Sequence, residues 1–221
     1  MKVCTDACLF GAWVSQQLPA QTSIQSILDI GCGTGLLSLM IAQNTNANID
    51  ALEINKDAAE QANENVQASP WPGQIKVIHR SLQEFLPSGK YDLIISNPPF
   101  FENDLQSNDT YKNAAKHDTT LRLEELMSFI SNHLSENGYA ALLIPYHRTA
   151  WLSSLIKQHN FHLREIMLVK QSVNHTFFRS LFYFSRHELQ PVPVNELCIH
   201  DEHRNYTAAF AMLLKEYYLK L

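Results

Sequence analysis

The sequence of 221 residues lacks the long apolar run of a membrane-spanning helix, since no stretch approaches about 18 apolar residues. It also lacks the features of a signal peptide, because Asp6 interrupts the first apolar stretch and no small-residue cleavage site follows. No Cys-x-x-Cys pair is present among the four cysteines, which are Cys4, Cys8, Cys32 and Cys198. We therefore expect a cytoplasmic protein whose thiols are free.

The chain also lacks the positive charge that is typical of a nucleic-acid-binding protein, since its formal net charge is −5. The charge is uneven, however: residues 1–111 contain 5 Lys and Arg against 12 Asp and Glu, and residues 112–221 contain 12 against 10. A polyanionic partner would therefore bind to the second half of the chain. No metal site is expected, because residues 200–203, reading His-Asp-Glu-His, have no further ligands at a recognised spacing.

Strand and helix patterns alternate along most of the chain. Strands are predicted over 26–30, 49–53, 75–79, 91–96 and 138–144, and helices over 5–17, 36–43, 121–134 and 150–158. Thr5 is the expected cap of the first helix, and a further helix after the second strand is expected to open on a capping box of Asp57 and Glu60.

A predicted hairpin over 161–170 and 177–185 follows the alternating region, and a helix over 207–219 ends the chain. These elements predict an α/β fold with a doubly wound, Rossmann-like sheet of seven strands and an antiparallel C-terminal hairpin. We expect one domain over 1–221, with a leading helix in 1–20, the alternating core in 26–160, and the hairpin and final helix in 161–221.

A glycine-rich loop follows the first strand, where residues 29–35 read Asp-Ile-Gly-Cys-Gly-Thr-Gly. Gly31, Gly33 and Gly35 allow the backbone to turn tightly and to approach a ligand closely. Ligands of open α/β sheets bind beyond the carboxyl ends of the strands, which is where this loop lies. Asp29 stands two residues ahead of the first glycine, so the loop is acidic as well as glycine-rich.

The end of the second strand supplies a possible partner for this loop. Glu53 lies about 20 residues further on, where a carboxylate can bind ribose hydroxyls. A structural turn, a dinucleotide site and an S-adenosylmethionine site are the three interpretations. The spacing Gly-x-Gly-x-Gly differs from the dinucleotide pattern Gly-x-Gly-x-x-Gly and resembles the first motif of class I methyltransferases. In those enzymes a residue after the third strand meets the cofactor adenine, and here Ser81 and Leu82 occupy that place.

The fourth strand ends in a second motif, Asn97-Pro98-Pro99-Phe100. The prolines fix the backbone and remove two amide donors, so the Pro98 carbonyl and the Asn97 side-chain oxygen become two fixed acceptors. Two acceptors can hold the two hydrogens of a planar amine and localise the nitrogen lone pair for attack on a methyl group. Phe100 offers a flat face for a base taken out of its stack. A proline turn with no chemical role is the alternative for this motif alone.

Both motifs together, with the residues around them, resemble the bacterial tRNA adenine-N6 methyltransferase family that modifies valine tRNA beside the anticodon. The resemblance covers nearly the whole chain, and its parts are Lys2 to Trp13, Asn65 to Trp71, Phe100-Phe101, Ser107, Ala115-Lys116-His117, Tyr206-Thr207, Phe210 and Tyr217-Tyr218-Leu219. It implies a class I fold, S-adenosylmethionine as cofactor, tRNA as partner and a monomer or weak oligomer. Lys116 stands where arginine is commoner in the family. Lysine keeps the positive charge but lacks the two parallel donors with which arginine binds a phosphate.

The resemblance also implies further roles. Thr5 and Asp6 sit where the leading helix can meet the methionine end of the cofactor or the target base. Lys112, Lys116 and His117 follow the second motif and can contact RNA phosphate, and a loop histidine with no role is the alternative for His117. Other basic residues lie on or near the predicted hairpin and either extend a basic face or are ordinary surface charges; they are Arg164, Lys170, Arg179 and Arg186.

Three other functions stay open at this point. The same tetrapeptide serves methyltransferases that act on guanine N2 of ribosomal RNA or on a glutamine side chain of a protein. A non-catalytic module that binds S-adenosylmethionine or RNA is the alternative of another class.

Overall fold

The computed structural model describes residues 4–18, 24–98 and 122–220. Its centre is a single eight-stranded sheet. The strands are β1 Ser26–Ile30, β2 Asn48–Glu53, β3 Ile75–His79, β4 Tyr91–Ser96, β5 Leu134–Pro145, β6 His162–Ser172, β7 Phe177–Ser185 and β8 Val194–His200. The six helices of the described residues are α1 Thr5–Gln17, α2 Leu36–Ala42, α3 Lys56–Gln67, α4 Leu123–His133, α5 Thr149–Gln158 and α6 Ala208–Leu214.

The strand order is β3-β2-β1-β4-β5-β7-β6-β8. β7 runs antiparallel to β5 and β6, and the other strand pairs of the described residues are parallel. All strands except β7 therefore end at one edge, which we call the carboxyl edge. The predicted α/β class, with its doubly wound sheet and its antiparallel hairpin, is confirmed.

The eighth strand is the difference from the seven-stranded prediction. β8 pairs in parallel with β6 and buries Leu197 and Ile199, while Asn195 and Glu196 make its first half polar. That short alternation is a weak signal, and the pairing that makes the segment a strand comes from β6, which is separated from β8 in the chain by the whole of β7.

Helices cover both faces of the sheet, because each face is apolar. One core joins residues of α1, α2, α3 and α6 to one face, and the second joins α4 and α5 to the other. None of the helices in the described ranges is both long and apolar enough to span a membrane.

Two predicted helix caps are wrong. Cys4, not Thr5, stands at the cap position of α1, and no side-chain hydrogen bond caps that helix. Asn55, not Asp57, caps α3, because its Oδ1 accepts a hydrogen bond from the Ala58 amide at 3.0 Å. Asparagine is as good a cap as aspartate, so both residues fitted the sequence pattern and the backbone of the loop decided between them.

Candidate active site

The glycine loop joins β1 to α2 at the carboxyl edge. Gly31, Gly33 and Gly35 have φ angles of 73°, 58° and 84°, in the left-handed region that favours glycine. The amide N–H groups of Gly31 and Cys32 donate to the Leu52 carbonyl at 2.8 and 3.0 Å, so the loop is fixed to the end of β2. The predicted turn with three glycines in special conformations is confirmed.

Glu53 links this loop to the start of α3. Its Oε2 accepts from the Gly33 amide at 2.8 Å and its Oε1 accepts from the Asn55 amide at 2.8 Å. The side chain is buried. Each carboxylate oxygen has a second lone pair, so Glu53 keeps acceptor capacity for hydroxyl groups of a ligand.

Asp29 is the last carboxylate before the loop and is fully buried. Its Oδ2 accepts from the Ser38 hydroxyl at 2.7 Å, while its Oδ1 is buried without a hydrogen-bond partner among the described residues. Burial raises the pKa of Asp29 to about 7, the Ser38 hydrogen bonds act in the opposite direction, and the Glu53 charge adds to the rise. A cationic ligand would favour the ionised form of this carboxyl group.

A side-chain hydrogen bond from helix α3 also supports the glycine loop. The Asn65 side-chain amide of α3 donates to the Thr34 carbonyl at 2.9 Å. Asn65 lies in the stretch that resembles the family, and its contact gives a structural reason for an amide at that place.

The Asn97-Pro98 motif begins beside the glycine loop. Ile30 and Ser96 are partners in the register of β1 and β4, and the Ser96 hydroxyl donates to the Ile30 carbonyl at 2.7 Å. The residues that follow, Gly31 and Asn97, therefore leave adjacent strands at the same level of the carboxyl edge, about 4.8 Å apart in strand spacing. Asn97 is half-buried and Pro98 is buried.

Several predicted site residues lie outside the described residues. They are Pro99, Phe100, Lys112, Lys116 and His117. Their roles remain predictions.

The residues after β3 also lie at the carboxyl edge. The Ser81 hydroxyl donates to Glu84 Oε2 at 3.0 Å, so it already takes part in a turn. Leu82 is buried and its side chain packs into the core with Phe85. Ile54, directly after Glu53, is 49% exposed and was missed from the sequence. An apolar side chain straight after the acid of β2 is the signal that could have found it.

The start of α1 is tied to the same edge by an ion pair. Arg179 Nε lies 2.8 Å from Asp6 Oδ2, and Arg179 is the register partner of Pro145 at the end of β5. Asp6 is thus engaged by the protein itself. Thr5 lies next to it, beside the Tyr218 phenol.

The hairpin cations do not form a free basic face. Arg179 pairs with Asp6, Lys170 pairs with Glu196 at 3.1 Å, and Arg186 donates to the Ser131 carbonyl at 2.7 Å. Arg164 donates to two backbone carbonyls of the segment after β7. These contacts favour the structural interpretation for each of the four residues.

The described part of the chain contains no group of three or more His, Cys, Asp or Glu side chains that could hold a metal ion. Residues 201–205 form a turn instead, in which Asp201 accepts from the amides of His203 and Asn205 at 2.8 and 2.9 Å.

Comparison with known proteins decides the family. The model of the family described as methyltransferase small domain matches residues 12–142. A Flavobacterium johnsoniae protein named tRNA1(Val) (adenine(37)-N6)-methyltransferase is 42% identical over 100% of this chain and 94% of its own length. A Pseudoalteromonas translucida protein of the same name is 36% identical over 100% of this chain and 93% of its own length. The chain belongs to this family.

Solved structures agree on the fold. A predicted O-methyltransferase from Agrobacterium tumefaciens superimposes with a TM-score of 0.70 at 16% identity, and the match covers 95% of each chain. The magnesium protoporphyrin IX methyltransferase of Synechocystis, solved with bound S-adenosylmethionine, gives 0.58 at 17% identity, over 81% of this chain and 79% of that one. The fold is therefore that of class I methyltransferases, and S-adenosylmethionine is the methyl donor of this family.

The residues present fit that cofactor. An added Cβ at Gly31 would meet nothing within 4 Å, so the loop faces open space at the carboxyl edge. Two buried carboxyl groups, Asp29 and Glu53, lie at this edge, and residues 31–35 read Gly-x-Gly-x-Gly and not the dinucleotide pattern Gly-x-Gly-x-x-Gly. A cationic nucleoside without phosphate suits that arrangement better than a dinucleotide does.

Proposed function

We propose that this protein transfers the methyl group of S-adenosylmethionine to N6 of an adenine in tRNA, at the position beside the anticodon of valine tRNA. The observation that carries the proposal is the pairing of Ile30 with Ser96, since it brings the glycine loop and the Asn97-Pro98 motif to one place at the carboxyl edge. Full-length similarity to relatives named for adenine 37 of tRNA1(Val) supports the choice of substrate.

The cofactor side of the site is assigned as follows. Glu53 accepts hydrogen bonds from the ribose hydroxyls, and Gly31, Gly33 and Gly35 let the backbone approach the ligand. Asp29 favours the positively charged methionine end, because it is buried with one oxygen unpartnered among the described residues.

The adenine of the cofactor is assigned to the ends of β2 and β3. Ile54 supplies an apolar face, and Ser81 and Leu82 border the ring, with the Ser81 hydroxyl as a neutral acceptor. Thr5 is assigned to the methionine end from its place at the start of α1, next to the ion pair of Asp6 with Arg179.

The target nitrogen is held by the second motif. The Asn97 side-chain oxygen and the Pro98 carbonyl accept the two hydrogens of the exocyclic amine, which localises its lone pair. S-adenosylmethionine supplies an electrophilic methyl group when bound. No strong base is needed, since the nitrogen becomes acidic once it is alkylated. Pro99 keeps the turn rigid, Phe100 stacks on the target base, and Lys112, Lys116 and His117 contact RNA phosphate.

The test is transfer of labelled methyl groups to total tRNA, to ribosomal RNA and to a release factor, followed by nucleoside analysis. We expect label in N6-methyladenosine of tRNA. Label only in guanosine or in protein would contradict the proposed substrate, and cofactor binding without any transfer would favour the non-catalytic alternative.

The Asn97→Ala variant separates binding from chemistry. It should bind S-adenosylmethionine with unchanged affinity and lose about 10²-fold or more in turnover, because an acceptor for the amine is gone. Calorimetry and single-turnover assays measure the two quantities. Undiminished turnover would show that Asn97 has another role. We further propose one methyltransferase domain over 1–221, a cytoplasmic location and a monomer or weak oligomer.

A further inference from the structure

An aromatic and cationic surface lies at the carboxyl edge next to the proposed target site. Its residues, which we call the edge cluster, are Tyr146, Arg148, Trp151, Lys170 and Phe177. They come from the ends of β5 and β6, the beginning of β7 and the start of α5.

The rings and cations of the edge cluster form two contacting groups, Arg148 with Trp151 and Tyr146 with Phe177 and Lys170. The Arg148 guanidinium lies 5.4 Å from the Trp151 ring centroid, and the Lys170 ammonium lies 4.6 Å from that of Phe177. The Tyr146 and Phe177 rings are 5.2 Å apart and tilted by 43°. Tyr146 and Trp151 are each 38% exposed, although both are large aromatic side chains.

The sheet places the Tyr146 end of this surface on β5, the strand next to the one that ends in the Asn97-Pro98 motif. Ser96 is the register partner of Leu142, so β5 continues for three residues beyond that level, to Pro145, and Tyr146 follows directly. The Thr149 hydroxyl donates to the Tyr146 carbonyl at 2.6 Å and is 2.7 Å from the Ser180 hydroxyl of β7, which fixes the turn that carries Tyr146.

We propose that the edge cluster binds the unpaired nucleotides that flank the target adenine in the RNA. The inference rests on the proposed function, because it concerns the RNA substrate. Unpaired bases stack on aromatic rings and on arginine planes, and phosphates are attracted by the neighbouring cations. Tyr146 and Trp151 stack with bases, and Arg148, beside Trp151, contacts a phosphate. Lys170 also pairs with Glu196, so it acts by holding Phe177 behind Tyr146.

The chemistry of the surface favours RNA over an apolar partner. A docking site for an apolar helix needs a continuous apolar patch, whereas cations here alternate with the rings. The second half of the chain also has a net positive charge, with 12 Lys and Arg against 10 Asp and Glu in residues 112–221.

The experiment compares Tyr146→Ala, Trp151→Ala and Arg148→Ala with the wild type in methyl transfer to a valine tRNA transcript. We expect each variant to raise KM for tRNA by about 5- to 100-fold, with KM for S-adenosylmethionine and the Tm of the protein nearly unchanged. Trp151→Phe keeps an aromatic ring, so its KM for tRNA should stay close to that of the wild type. Arg148→Ala should also lower the slope of log affinity against log salt by about 0.7.

The matched control is Lys157→Ala. Lys157 is an exposed cation in the last turn of the same helix α5, whose far end lies away from the carboxyl edge. It should leave KM for tRNA unchanged.

Three results would overturn the inference, and they are distinguishable. The wild type could methylate tRNA while the edge-cluster variants show the same KM for tRNA as Lys157→Ala. That result would refute RNA binding by the edge cluster and leave the proposed function intact. Wild-type protein that binds S-adenosylmethionine but methylates no tRNA would refute both. A merely structural role would lower Tm and raise both KM values together.

Discussion

The buried carboxyl group of Asp29 makes cofactor affinity depend on pH. In the free protein burial raises the pKa of Asp29 to about 7, so below neutral pH the group is mostly protonated. S-adenosylmethionine carries a sulfonium and an ammonium charge, and a neighbouring cation favours the ionised carboxylate. Binding should therefore release a proton, and affinity should increase as the pH increases through about 7.

The size of the effect follows from the ionised fraction. With a pKa of about 7, roughly 9% of the groups are ionised at pH 6.0 and roughly 76% at pH 7.5. If the bound form is ionised throughout, affinity rises about eightfold between these pH values. The sign is fixed by the raised pKa, because a carboxyl group with a lowered pKa would already be ionised at pH 6.

Isothermal titration calorimetry measures both quantities, the affinity from the binding curve and the released proton from buffers of different ionisation enthalpy. Asp29→Asn is the matched control, since it keeps the shape and an acceptor for the Ser38 hydroxyl but does not titrate. Measurements stop at pH 7.5 because the α-amino group of the ligand itself loses its charge at higher pH.

A second variant tests the cause of the shift. Ser38→Ala removes hydrogen bonds that lower the pKa of Asp29, so the midpoint of the affinity curve should move to higher pH. Equal pH dependence in wild type and Asp29→Asn, or affinity that falls between pH 6.0 and 7.5, would refute the reasoning.

Three further variants test the frame of the site. Gly31→Ala should cost about 1 kcal/mol in the free energy of unfolding, because φ is +73°, and should weaken S-adenosylmethionine binding about tenfold, because the added methyl group projects into the space that the ligand would occupy. Gly73→Ala, which also faces open space but whose φ is not in the positive region, is its control by thermal shift and calorimetry. Ser96→Ala should lose about 1–2 kcal/mol in urea unfolding, since it leaves a buried carbonyl of β1 without its 2.7 Å partner, and an unchanged urea midpoint would contradict that role. Arg179→Met should lose about 2 kcal/mol by leaving the Asp6 carboxylate, 16% exposed, without its cation, and the double variant with Asp6→Asn should recover part of it.

The sequence by itself determined the order of the strands and helices and the two motifs. Period-2 and period-3.6 patterns are local, so the bounds of β1, β3, β4 and β7 agree with the sequence to the residue. The glycine loop was predictable for the same reason, because positive φ at Gly31, Gly33 and Gly35 is a property of the local backbone.

The partners of the charged side chains were not predictable, because they come from distant parts of the chain. Arg179 was expected on a possible basic face, yet it pairs with Asp6, 173 residues away. Asp29 was expected as an acidic residue of the loop, yet its pKa of about 7 results from burial, which raises the pKa against the opposing effect of the Ser38 hydrogen bonds. Desolvation depends on which helices cover the strand end, and a sequence pattern carries no measure of it.

Tertiary structure alone also decided the eighth strand and the edge cluster. β8 is a strand because β6 offers it an edge, and the edge cluster forms because β5, β6 and β7 bring Tyr146, Lys170 and Phe177 within reach of one another. The motif Asn97-Pro98 indicated a planar nitrogen from sequence. Its position beside Gly31 depends on the pairing of Ile30 with Ser96, because hydrogen bonding between strands that are far apart in sequence sets the register.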